Sequence, residues 1–141
     1  MKLAGVVSAS LVALGMVLSQ GLQAADSKQA APKDNKGFKA SKTTVVDLGP
    51  EIEGMQGHQL RLRLLAIEPG GHIAVHSHKN RPAVVYFLKG VDTVIVEDGS
   101  SKQFRPGETS TATKNTTHWH RNDGKELVEL IAVDIFQPPA K

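Results

Sequence analysis

Four of the six histidines in this 141-residue chain fall into two short pairs. His76 and His78 flank the small Ser77, and His118 and His120 flank Trp119. Alternate side chains of an extended strand share a face, so each pair would present two imidazoles in one direction. A neutral imidazole offers a nitrogen lone pair that suits Fe(II), Mn(II), Ni(II), Cu(II) or Zn(II). Two such donors from one strand and one from a facing strand can occupy one side of an ion, leaving its other positions to substrate, oxygen or water. A lone histidine in an apolar strand is more often packed and hydrogen-bonded, and His58 is read that way.

The residues around the pairs have a recognisable spacing. Gly70 is followed by five residues, His76, one residue, His78 and later Gly90; downstream come Pro106-Gly107, then His118, three residues and Asn122. This resembles the two motifs of the cupin superfamily, over residues 60–136. The resemblance implies a jelly-roll β-barrel with a divalent transition metal on His76, His78 and His118, and relatives that include Fe(II) dioxygenases, lyases and isomerases. It departs at one position, where Ala83 stands in place of the first motif's glutamate. The implied site is therefore one carboxylate short of the usual set and suits an anionic substrate. His120 and His72 are candidates for a further ligand. His72 shares the parity of His76 and His78, although the preceding glycines weaken strand geometry there. Arg81 either turns the chain together with Pro82 or holds a carboxylate at the pocket rim. Tyr86 and Phe87 read as core, with the Tyr86 hydroxyl a candidate substrate contact. Trp119 faces away from its flanking histidines, towards outer packing or a dimer contact, and Asn122 is expected to fix a loop.

The elements that must position these residues read as short strands. Residues 43–48 are β-branched, and Leu60, Leu62 and Leu64 alternate with Arg61 and Arg63, which predicts a strand with its leucines inside. Pro69-Gly70-Gly71 predicts a turn into the His-x-His strand. Residues 83–88 form a continuous apolar run of the kind buried on both faces. Asp98-Gly99 has hairpin chemistry, and residues 127–136 form a last strand with Leu127, Glu129, Ile131, Val133 and Ile135 on one face. No segment of this region carries a capped helical stripe. An all-β barrel or sandwich follows from the strand spacing alone.

Residues 1–24 read as a Sec-type signal peptide: Met1-Lys2, then an apolar run too short for a typical span, then Leu22-Gln23-Ala24. An uncleaved anchor is the alternative. In a bacterial cell the destination would be the periplasm, with no stable membrane insertion after cleavage. Residues 25–42 carry five lysines against two aspartates and read as a flexible linker, residues 43–137 as the barrel and 138–141 as a short tail. From Thr43 onwards eleven basic residues face twelve acidic ones, so the overall basic character belongs to the linker and does not indicate nucleic-acid binding. With no cysteine, thiolate metal sites and cysteine nucleophiles are excluded. The absence of a G-x-S-x-G elbow argues against a serine hydrolase. Two functions fit: a small metalloenzyme acting on a small anionic molecule, and a barrel that binds a metal or metabolite without turnover. The resemblance also implies a homodimer paired through edge strands, which would protect those edges.

Overall fold

The computed structural model describes residues 30–139. The segment read as a signal peptide lies outside the described residues, as do the start of the expected linker and the last two residues. All regular structure described is strand: β1 (Lys36–Asp47), β2 (Gln59–Ser77), β3 (Ala83–Lys89), β4 (Asp92–Val96), β5 (Ser101–Phe104), β6 (Thr109–Ala112), β7 (Thr117–Arg121) and β8 (Val128–Phe136). Every pairing is antiparallel, in the order β5-β4-β7-β2-β8-β3-β6 with β1 added on β2, and the sheet curls into a nearly closed barrel.

The 19-residue β2 organises this barrel. Its first half, residues 59–67, lies between β1 and β8, while its second half pairs with β7. Pro69-Gly70-Gly71 bends the strand without ending it, contrary to the expected turn. Gly70 has φ +70, and a Cβ on Gly71 would lie 2.7 Å from the Lys36 carbonyl oxygen and 2.8 Å from that of Glu68. Only glycines allow that close approach of backbones.

The inward row of β8 is Val128, Leu130, Ala132 and Asp134, all buried, so Glu129, Ile131, Val133 and Ile135 share the opposite face. At the start of β2 the expected face is reversed: Leu60 and Leu62 are exposed and the Arg61 and Arg63 side chains are mostly buried. The reversal is possible because Asp134 arrives from β8 to pair with both arginines. Along β3 the expectation of burial on both faces also fails: Ala83, Val85 and Phe87 point inward, while Val84, Tyr86 and Leu88 are exposed. The core gathers Ile67, Val128 and Leu130 around stacked Phe87 and Phe104 rings, whose centroids are 4.6 Å apart.

β1 begins inside the segment expected to be a linker. Its side chains are mostly exposed, which is why the composition reads as flexible, but its backbone pairs with β2 and Phe38 packs against the core. Ahead of it, the Val75 N–H donates to the Pro32 carbonyl at 2.9 Å and the Ala74 N–H to Asn35 Oδ1 at 2.8 Å.

Candidate metal centre

The antiparallel register of β2 and β7 brings the two histidine pairs together. His76 lies opposite His118, and Ile73 opposite His120, with a register shift between them. That bulge places an extra residue on β2 and reverses the parity upstream of it. His72 therefore does not join the cluster, contrary to its expected parity; its Nε2 lies 3.0 Å from the Asp34 carbonyl oxygen. His78 follows the end of β2, where its N–H donates to the Thr116 carbonyl at 2.9 Å.

Backbone carbonyls fix the imidazole tautomers. His76 Nδ1 donates to the Ala74 oxygen and His78 Nδ1 to the Arg81 oxygen, each at 2.9 Å. A carbonyl only accepts, so in the neutral ring the lone pair is left on Nε2. His118 Nε2 stands 3.0 Å from His78 Nε2 and 3.1 Å from His76 Nε2. Two nitrogens bound at right angles, each about 2.1 Å from one ion, are separated by about 3.0 Å. His118 Nε2 thus has the spacing of a neighbouring ligand on one metal to each of the other two donors. Burial lowers the pKa of His76 to about 4 and that of His118 to about 2, and it lowers that of His78 as well. Neutral imidazoles are the form that binds a metal.

His120 joins from the other end of β7. One nitrogen each of His76, His118 and His120 lie within 4.8 Å of one another, a group that can hold a metal ion. This group shares His76 and His118 with the set that contains His78, and all four imidazoles line one cavity. The His120 ring is parallel to that of His76 at a centroid distance of 5.9 Å, and its Nδ1 is 2.6 Å from Asp92 Oδ2.

The histidines line a cavity of about 290 Å³ whose other walls include Phe38, Leu65, Ile73, Ala83 and Leu130. Ala83 occupies a buried inward position at the start of β3, where a longer side chain would enter the cavity. Arg63, Arg81 and Asp134 also line it. Asp134 accepts from Arg61 Nε and Nη2 at 3.0 and 2.8 Å and from Arg63 Nη2 at 3.1 Å, with Arg81 Nη1 at 3.8 Å. Three guanidinium groups against one carboxylate leave this end of the cavity positive.

Residues 63–135, just over half of the chain, match the family model for the cupin domain. The chain belongs to the cupin family. Among solved structures, the polyketide cyclase RemF from Streptomyces resistomycificus is similar at 17% identity with a TM-score of 0.59, covering 77% of this chain and 72% of that one. An oxalate oxidase in complex with the substrate analogue glycolate shares 23% identity with a TM-score of 0.52, covering 74% of this chain and 53% of that one. A predicted oxalate decarboxylase from Thermotoga maritima shares 16% identity with a TM-score of 0.52, covering 76% and 94%. At these identities the likeness is one of fold. Among curated proteins none matches the chain.

The cupin barrel brings together His76, His78, His118 and His120, with Arg81 at the cavity wall. Tyr86 is excluded: it is 44% exposed on the outer face of β3, opposite the inward Val85 and Phe87. Trp119 is buried in packing away from the cavity, opposite Ile95. Asn122 is a loop clamp, its Nδ2 donating to the Ile67 and Glu126 carbonyls and its Oδ1 accepting from the Gly124 N–H. Asp92, Arg63 and Asp134 carry no motif. The signal that could have pointed to Asp134 and Arg63 is charge at alternate positions of otherwise apolar strands.

Proposed function

We propose that this cupin is a small metalloenzyme, exported to the periplasm, that acts on a small anionic molecule at a divalent transition metal held by His76, His78 and His118. The observation that carries the reading is the convergence of three Nε2 atoms at 3.0 and 3.1 Å, two of them with their tautomers set by backbone carbonyls. When bound, a metal such as Fe(II), Mn(II), Zn(II), Ni(II) or Cu(II) supplies Lewis acidity to a coordinated oxygen donor and, for a redox-active ion, electrons. The chain's own contribution is positioning and exclusion of water. Arg81 and Arg63 hold the anionic group, while Phe38, Leu65, Ile73 and Leu130 give an apolar wall. A cavity this small admits a compact substrate. The proposed working unit is a homodimer joined across the apolar outer face that bears Leu62, Val84 and Tyr86.

One observation favours a second reading, a barrel that holds a metal or metabolite without turnover. Asp134, the carboxylate lining the cavity, is engaged by arginines, which leaves no evident free acid or base there. Metal content of the natively purified protein, compared with a His76→Ala, His78→Ala double variant, tests the site. Near-stoichiometric metal in the former and none in the latter is expected. Protein that neither carries metal nor binds any of the five ions when added would remove the metalloenzyme reading. Oxygen consumption by Fe(II)-loaded protein with candidate carboxylates favours turnover; tight metal binding without an accessible coordination position favours the binder.

A further inference from the structure

We propose that His120 is a fourth ligand of the metal and that Asp92, buried behind it, is its positioning residue. The inference rests on the proposed metal site and concerns its composition.

Asp92 is fully buried at the start of β4, whose Val94 lies opposite His120 and whose Val96 lies opposite His118. A carboxylate in such a place is costly unless it is paired and hydrogen-bonded. Its Oδ2 is 2.6 Å from His120 Nδ1, while Oδ1 has no hydrogen-bond partner among the described residues. The carboxylate accepts from Nδ1–H, and in the neutral ring this leaves the lone pair on Nε2. A ring nitrogen of His120 belongs to the group it forms with His76 and His118, within 4.8 Å. Two donors on opposite sides of one ion, each about 2.1 Å away, are about 4.2 Å apart, so this range accommodates His120 on the same ion as His76 and His118.

A carboxylate–imidazole–metal relay orients a ligand and raises its basicity. Here it also restores the charge missing at Ala83. The site holds its negative charge behind a histidine instead of on the metal itself. A dication bound through His120 in turn compensates the half-satisfied Asp92 carboxylate.

The test uses the full barrel with Zn(II) as probe. In histidine-labelled ¹⁵N NMR spectra of the wild-type protein, saturation with Zn(II) is expected to move the Nε2 resonances of His76, His78, His118 and His120, the last assigned with His120→Gln. Asp92→Asn is expected to weaken Zn(II) binding by roughly 10–100-fold in chelator competition while leaving the fold, followed by circular dichroism, unchanged. A His120 Nε2 resonance that stays in place while the other three move would overturn the fourth ligand and leave the three-histidine site standing. Unchanged affinity in Asp92→Asn would overturn the positioning role. Wild-type protein in which no imidazole responds to Zn(II) would overturn this inference together with the site it rests on.

Discussion

Burial sets the chemistry of individual residues here. The unfolded chain protonates its histidines near 6.5, whereas folded His76 does so at about 4 and His118 at about 2, chiefly because burial disfavours the charged ring. Between those values the unfolded state binds more protons, so stability rises with pH. Metal-stripped protein should therefore be fully stable above about pH 6.5 and lose stability as pH falls towards 4. Urea midpoints across that range would check this, and a flat profile would contradict it. At position 83 the expected effect is one of metal preference. Carboxylate oxygen suits Mn(II) better than an all-imidazole set does, so Ala83→Glu should raise Mn(II) affinity by about tenfold. Free Mn(II), followed by electron paramagnetic resonance during titration, reads this directly; unchanged affinity in a folded variant would contradict it. The histidine pairs were legible because same-face spacing survives in any strand. Asp92 was not, because its meaning depends on the imidazole of a strand distant in sequence. His72 was misread because one bulged residue reverses parity and composition does not reveal a bulge.

At the scale of elements, alternation located most strands but not their inward faces. Leucines at 60, 62 and 64 outweigh the arginines between them in any hydrophobic pattern, yet the arginines point in because β8 supplies Asp134. β6, with the polar sequence Thr109-Ser110-Thr111-Ala112, has too little apolar signal to be recognised alone. The early half of β1 is similar, since backbone pairing and one aromatic ring hold it. Phe38 links this strand to the cavity as well as to the core. Phe38→Ala should cost about 1–3 kcal/mol, less than a fully buried Phe→Ala change. The loss should be accompanied by faster hydrogen exchange across 36–47, because that edge would open independently of the barrel. Exchange in this segment as slow as in wild type would mean that pairing with β2 alone holds the strand.

For the whole molecule, the outward faces of β2, β8 and β3 leave an apolar surface to be accounted for. Leu60 and Leu62 of β2 and Val84 and Tyr86 of β3 are each more than a third exposed, and Val133 of β8 lies between Leu62 and Val84 in the register. These side chains therefore share one outward face of adjacent strands. Contiguous exposed apolar surface of this kind commonly marks an interaction site. A second copy can cover it symmetrically, because a two-fold interface uses the same patch on both subunits. A homodimer paired across this sheet face, in place of one paired through edge strands, is the arrangement proposed. Sedimentation equilibrium should show a dimer, and Val84→Lys should shift it to monomer while preserving the barrel, since the substituted side chain points away from the core. The Zn(II) affinity of that monomeric variant should equal the wild-type value, because the histidines open into the barrel on the opposite side of the sheet. A wild-type monomer at high protein concentration would contradict the dimer, and loss of Zn(II) binding in a folded Val84→Lys monomer would show that the metal site depends on the partner.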